Sequence, residues 1–122
     1  MRNWKAKKMR RTIRTLPEFD RRSKRLRKKF ISLTNELRTL VQSIITDPRQ
    51  GESLGAGLYK IRLASASKGG GKSGGFRVIT YYVEQTAESE TVYLVTIYDK
   101  SEAGSIAKEE LLKLLQQELP PA

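Results

Sequence analysis

Hydrophobic residues recur along the chain with two different periods, and these periods predict the secondary structure. Apolar residues at spacings of three and four from Leu33 to Ile45 predict an amphipathic helix with one buried stripe. A thinner apolar seam that starts at Phe19 predicts an earlier helix, which begins at Pro17 because proline is favoured in a first helical turn. We expect the two helices to form an antiparallel hairpin on one face of a sheet.

Three segments with the sequence character of strands follow the second helix. Leu58 to Ala64 alternates apolar residues with Lys60 and Arg62, which places these two cations on one face of the strand. Phe76 to Val83 and Thr91 to Tyr98 are rich in β-branched and aromatic residues, as expected of strands that are buried on much of both faces. The three strands are expected to form an antiparallel meander.

The two ends of the chain complete this arrangement. A short strand is expected from Thr12 to Leu16, and a leucine-rich helix from Ile106 to Leu119. The predicted fold is therefore α+β, in the order β-α-α-β-β-β-α. A helical hairpin and a C-terminal helix pack around a small antiparallel sheet, and residues 12–122 form a single domain. Strict alternation in the last strand groups Tyr98 with Val92 and Leu94 on one face.

Positive charge is concentrated near the start of the 122-residue chain. The formal net charge is +11, which favours polyanionic partners. More than half of the basic residues lie within the first 30 positions, where residues 1–11 are expected to be a disordered basic arm or an extended start outside the fold. The basic face of the first helix has two interpretations, a solvated face that keeps the protein in solution or a track for RNA phosphates.

Composition also limits the chemistry. The chain has no cysteine and no histidine, which excludes disulfides and removes the commonest general base and metal ligands. Any catalysis must use lysine, arginine, tyrosine or carboxylates, and neither a metal site nor a small-molecule cofactor is expected. No apolar run is long enough to span a bilayer or to follow the basic N-terminus as in a signal peptide, so we expect a cytoplasmic protein with no membrane partner.

A glycine-rich basic loop separates the first two strands of the meander. Its sequence SKGGGKSGG fails the Walker pattern because Ala66 stands where the first glycine is required, and because a strand follows it instead of a helix. We interpret it as a flexible hairpin loop in which Lys68 and Lys72 bind RNA. The alternative interpretation is a solvated hairpin tip without a binding role.

Three motifs carry a resemblance to a known family: GLYKIRLA, GKSGGFRVITYY and VYLVTIYDKSE. In order and spacing they resemble the RelE/HigB branch of the RelE/ParE toxin superfamily, over about Thr12 to Leu119. The resemblance implies a RelE-like fold and a toxin of a type II toxin-antitoxin system. Such a toxin is a metal-independent endoribonuclease that cleaves mRNA on the ribosome, inhibits translation and is silenced by a cognate antitoxin protein.

The resemblance also assigns a candidate site. Arg77 matches the family's strand arginine and is expected to stabilise the reacting phosphate, since a guanidinium fork fits two phosphoryl oxygens. Tyr98 and Lys100, in the I-Y-x-K match, are expected on one side of the sheet, where they orient or protonate the reacting atoms. Lys60 adds positive potential or transfers a proton. Some family members use a histidine here, so the roles of acid and base stay open. The expected RNA-binding residues are Arg62, Lys68 and Lys72.

Two other functions fit parts of the same pattern. A ParE-like member would share the fold and poison a topoisomerase, and it would need no pairing of Arg77 with Tyr98 across adjacent strands. A non-enzymatic RNA-binding module would also account for the charge. Such modules usually read single strands with exposed aromatic side chains, whereas the strand aromatics of this chain lie in core-like runs.

Overall fold

The computed structural model describes residues 10–69, 74–102 and 104–121. The elements are β1 (Arg10–Thr15), α1 (Pro17–Lys29), α2 (Leu33–Thr46), β2 (Glu52–Gly55), β3 (Leu58–Leu63), β4 (Phe76–Thr86), β5 (Ser89–Asp99) and α3 (Lys108–Glu118). Within these ranges the fold is α+β, with three helices and one five-stranded sheet in the order β1-β5-β4-β3-β2. No helix in the described ranges is long and apolar enough to cross a membrane.

The sheet contains the predicted meander and two features that the sequence analysis did not predict. β3, β4 and β5 pair antiparallel as expected. The segment before β3, where the predicted order of elements has no strand, forms the strand β2, antiparallel to β3. β1 begins at Arg10 instead of Thr12 and pairs with β5 in parallel, so the sheet is mixed and not purely antiparallel. The expected basic arm lies mostly outside the described residues, which begin at Arg10.

Both predicted helices of the hairpin bury side chains against the same face of the sheet. Pro17 occupies the first turn of α1, together with Glu18 and Asp20, whose charges suit the positive end of the helix dipole. The residues that the two helices bury, with their partners on the sheet, form what we call the hairpin core. Its buried members are Phe19, Leu26, Leu33, Leu37, Leu40, Ile44, Ile61, Phe76, Val78, Val92, Leu94 and Ile97.

The C-terminal helix covers the opposite face of the sheet. The buried cluster on that side, which we call the α3 core, consists of Leu16, Leu58, Ile79, Tyr93, Val95, Tyr98, Leu111 and Leu115. α3 contributes its two buried residues, Leu111 and Leu115, to this cluster. The sheet is thus the middle layer between the helical hairpin and a single C-terminal helix.

β5 does not alternate strictly between these two faces. Ile79 pairs with Thr96, and the next residue of β4, Thr80, pairs with Leu94. Val95 is therefore an extra residue on β5, which forms a β-bulge. A bulge changes the parity of every residue that follows it, because side chains otherwise alternate with a period of two.

The bulge corrects the predicted orientation of Tyr98. Val92 and Leu94, before the bulge, belong to the hairpin core, as does Ile97 after it. Tyr98 belongs to the α3 core. The prediction that Tyr98 shares a face with Val92 and Leu94 is therefore wrong, because it assumed unbroken alternation.

Candidate active site

One row of residues crosses three strands of the meander. Arg62 on β3 lies directly opposite Arg77 on β4, and Arg77 lies directly opposite Tyr98 on β5. Residues directly opposite on antiparallel strands point to the same face, with Cβ atoms about 4.5–5.5 Å apart. The sheet therefore brings together three of the residues that the sequence analysis selected, on the face that α3 covers.

A second row lies beside the first and adds two charged groups. Lys60 is opposite Ile79 on β4 and opposite Glu52 on β2. The Lys60 Nζ atom is 3.7 Å from the Glu52 Oε1 atom, and the Glu52 side chain is mostly exposed. A carboxylate therefore lies beside the cations of the site.

A surface pocket of about 360 Å³ lies over these charged groups. Its lining consists of Gln50, Gly51, Glu52, Lys60, Ile61 and Arg62. Gly51 has a φ of +99°, and a Cβ atom there would lie 2.5 Å from the Lys60 carbonyl oxygen. Glycine at this position thus permits the close approach of the chain that forms one wall of the pocket.

Solvent exposure decreases along the row from Arg62 on β3 to Arg77 on β4 and Tyr98 on β5. Arg62 is exposed, whereas Arg77 and Tyr98 are only 4% and 3% exposed. The Arg77 Nη1 atom donates a hydrogen bond to the Phe76 carbonyl oxygen at 3.3 Å. Burial raises the pKa of Tyr98 above its ordinary value, the nearby Arg77 guanidinium opposes that rise, and the Glu52 carboxylate adds to it. The phenol is therefore protonated at neutral pH and can act as a proton donor.

Lys100 lies at the edge of this site. It follows the last residue of β5, and its side chain is exposed. Its backbone N–H donates to the Gly75 carbonyl oxygen at 3.2 Å, which extends the pairing of β4 and β5 by one step. A Cβ atom at Gly75 would overlap the Leu63 carbonyl oxygen, so close packing accounts for the second glycine of the G-G-x-R motif.

The loop after β3 is anchored as far as it is described. The Ala66 N–H donates to the Glu36 Oε2 atom at 2.7 Å, and the Ser67 N–H donates to the Ser32 Oγ atom at 3.0 Å. Both acceptors belong to the junction of α1 and α2 or to the first turn of α2. Polar contacts thus hold the described start of the loop to the helical hairpin.

Lys68, which is expected to bind RNA, has its side chain largely shielded from solvent. Its Nζ atom forms an ion pair with the Asp99 carboxylate, and its side chain is 11% exposed. Lys72, the other loop lysine, lies outside the described residues. The RNA-binding roles of both stay predictions.

Glu52 is the site residue that sequence reasoning missed. It lies on β2, a four-residue strand with sequence ESLG, which has none of the β-branched or aromatic residues that mark strands. The available signal was the turn that follows, since Gly55, Ala56 and Gly57 all have positive φ. Two glycines flanking one residue between short segments indicate a tight hairpin, and a hairpin would place Glu52 beside Lys60.

No family model matches the chain. In the part of the chain that the structure describes, no three acidic side chains converge in a group that could hold a metal ion.

Proposed function

We propose that this protein is a RelE/HigB-like toxin of a type II toxin-antitoxin system, and that it cleaves mRNA on the ribosome without a metal ion. The observation that carries the proposal is the row of Arg62, Arg77 and Tyr98 across three adjacent strands, with Lys60 and Glu52 in the next row. The order of elements supports a RelE-like fold, to which β2 adds one strand.

Metal-free RNA cleavage requires three catalytic functions from the protein. The 2′-hydroxyl of the substrate attacks the adjacent phosphorus, the bond to the 5′-oxygen breaks, and the products are a 2′,3′-cyclic phosphate and a 5′-hydroxyl. A base must accept the 2′-hydroxyl proton, cations must stabilise the extra negative charge, and an acid must protonate the departing oxygen.

Residues of the two rows can supply these three catalytic functions. Arg77 stabilises the charge that develops on the phosphate, with Arg62 and Lys60 adding positive potential. The Glu52 carboxylate accepts the proton of the 2′-hydroxyl, because it lies at the exposed edge of the site. Tyr98 protonates the leaving oxygen, since burial keeps the phenol in its protonated form.

The burial of Arg77 and Tyr98 supports dependence on the ribosome. An RNA strand that enters the pocket meets Arg62 and Lys60 first, whereas the two buried residues become accessible only when the covering layer moves. The binding energy of a large partner can drive such an opening and assemble the site. A cognate antitoxin is expected to block the same surface with an acidic or amphipathic segment.

The test is cleavage of mRNA by purified protein on programmed ribosomes, with the ends of the fragments mapped. We expect cuts only when ribosomes are present, and we expect them to persist when a chelator is added under conditions that leave the ribosomes intact. The Arg77→Ala variant should lower the single-turnover rate by roughly 100- to 1,000-fold, as loss of a preorganised transition-state donor does.

Two further variants make this test specific. Arg77→Lys keeps the charge but loses the fork, so it should also be slow while straining the fold less. Arg38→Ala removes an exposed arginine of α2 and should cleave like the parent. Intact mRNA at every ribosome concentration would refute the proposal. Growth arrest with intact mRNA and broken DNA would favour the ParE-like alternative.

A further inference from the structure

A buried ion pair lies next to the candidate site, on the opposite face of the sheet. It joins Lys68, in the loop after β3, to Asp99, the last residue of β5, and the two side chains are 11% and 4% exposed. Asp99 follows Tyr98 directly in sequence. It also lies opposite Phe76, the residue that precedes Arg77. The ion pair therefore belongs to the rung beside the Arg77 and Tyr98 rung.

Two aromatic rings enclose the ammonium group. The Lys68 Nζ atom lies 5.4 Å from the centroid of the Phe76 ring and 5.5 Å from that of the Phe30 ring. The two rings contact each other edge to face, with centroids 5.2 Å apart. Enclosure by apolar rings removes water, which strengthens both the cation–π contacts and the ion pair.

The carboxylate of Asp99 also holds the turn that follows β5. Its Oδ1 atom accepts hydrogen bonds from the Ser101 N–H at 2.9 Å and from the Ser101 Oγ atom at 2.8 Å. Burial alone would raise the pKa of Asp99, but the bonds from Lys68 and Ser101 outweigh burial and lower it. The group is therefore ionised at neutral pH. Lys100, between these two residues, is held in the same turn.

The loop that carries Lys68 is itself fixed to the helical hairpin. Ala66 and Ser67 donate their N–H groups to Glu36 and Ser32. The ion pair thus connects the junction of α1 and α2 with the ends of β4 and β5. None of these connecting contacts involves a residue that we assign to the reaction.

We propose that the Lys68–Asp99 ion pair positions Arg77 and Tyr98 by fixing the ends of β4 and β5 at the Phe76–Asp99 rung. The kinetic part of this inference rests on the proposed function, whereas the positional part does not. Lys68 is then a positioning residue and not an RNA contact. The expected kinetic effect is large, because a displacement of about 1 Å in an active site can lower a rate by about 100-fold.

The chain provides a matched control at the other end of β5. Glu90 is a second buried carboxylate, 3% exposed, and it forms an ion pair with Arg11 and accepts a hydrogen bond from the Tyr82 hydroxyl. At about 3.3 Å per residue it lies on the order of 30 Å from Asp99 along the strand. A change at Glu90 therefore tests the loss of an ion pair made by a buried carboxylate, without a local effect on the site.

The experiment compares four variants: Asp99→Asn, Lys68→Met, Lys68→Arg and Glu90→Gln. Each is measured for stability by urea unfolding, for site geometry by the NMR signals of the Tyr98 ring and the Arg77 guanidinium, and for single-turnover cleavage and ribosome binding separately. We expect Asp99→Asn and Lys68→Met to shift both NMR signals and to lower the cleavage rate by about 10- to 100-fold, with ribosome binding little changed.

The remaining two variants separate positioning from stability. Lys68→Arg keeps the charge and should stay within a few-fold of the parent rate. Glu90→Gln should lose stability and leave the NMR signals and the rate at parent values. Equal rate losses in Asp99→Asn and Glu90→Gln, or unshifted signals in Lys68→Met, would overturn the inference. So would a Lys68→Met variant that loses ribosome binding but keeps the bound-state rate.

The outcomes also separate this inference from the proposed function. If the parent protein cleaves no RNA, the proposed function fails and the NMR signals alone decide the positional part. Shifts in Asp99→Asn without shifts in Glu90→Gln would then support it, and the same signals in both variants would overturn it. If Asp99→Asn does not fold, the comparison of Lys68→Met with Lys68→Arg gives the same decision.

Discussion

α3 buries only two of its side chains, Leu111 and Leu115, and its local detachment is measurable. Leu111 and Leu115 are 1% and 5% exposed, whereas Leu112 is 38% exposed. Full burial of a leucine contributes about 1.5–3 kcal/mol, so the two anchors together contribute about 3–6 kcal/mol. The conformational entropy of ordering the helix opposes this term. The net free energy of detaching α3 is therefore smaller than this sum of burial contributions.

Leu115→Ala should weaken this attachment strongly. Replacing a buried leucine with alanine costs about 2–5 kcal/mol, and every 1.4 kcal/mol changes a population about tenfold. If the whole cost falls on the detachment of α3, the detached population rises by roughly 30- to 4,000-fold. Tyr98 shares the α3 core with Leu115, so detachment also exposes the candidate acid.

The assay is amide hydrogen exchange read by mass spectrometry. Leu115→Ala should speed exchange in peptides from α3 and leave peptides from β4 near their parent rates, because local opening is independent of global unfolding. Leu112 lies about one helical turn before Leu115 and is already exposed, so Leu112→Ala is the matched control and should exchange like the parent. Parent-like exchange of α3 in Leu115→Ala, or equal acceleration in α3 and β4, would refute local detachment.

Three further changes test local features of the fold. Gly75→Ala should destabilise the protein by about 1–3 kcal/mol in urea unfolding because its Cβ atom would overlap the Leu63 carbonyl oxygen. Gly74→Ala, which faces open space, should not. Ala56 has a φ of +56°, so Ala56→Gly should raise the urea midpoint by relieving about 1 kcal/mol of strain, partly offset by chain entropy; a lower midpoint would contradict this. Hydrogen bonds to Glu90 outweigh its burial and lower its pKa below the ordinary 4.5. Its stabilising contribution is therefore present above that value and lost as the pH falls through the folded pKa, and Glu90→Gln should flatten the loss of stability on acidification, measured by urea unfolding between about pH 3 and 6.

Sequence patterns predicted the elements whose signal is local. The stripe of α2 repeats over four turns of helix, so its burial against the sheet follows from spacing alone. The prediction that Arg77 and Tyr98 lie on adjacent strands depended only on the antiparallel pairing of two segments with strong strand character. β2 was not predicted, because a pattern of four residues is too short to distinguish a strand from a connection.

The remaining differences depend on contacts between distant residues. Lys68 and Asp99 are separated by 31 positions in sequence, and nothing in the composition of a glycine-rich loop indicates that its first lysine forms an ion pair with a buried carboxylate. The bulge at Val95 could not be predicted from alternation either. An extra residue in a strand of uniformly β-forming residues does not change the sequence pattern that marks the strand. Both features are fixed by packing between layers.

The bulge at Val95 also gives β5 an unusual tolerance to a change in chain length. In a regular strand the loss of one residue reverses every side chain beyond it. In β5, loss of Val95 would leave a regular strand whose backbone pairing with β4 continues without interruption. Tyr98 would still lie opposite Arg77 and Ile97 opposite Val78, so each side chain would keep its present face. A one-residue deletion at Val95 would thus yield the same sheet with its phenol still in the cationic row.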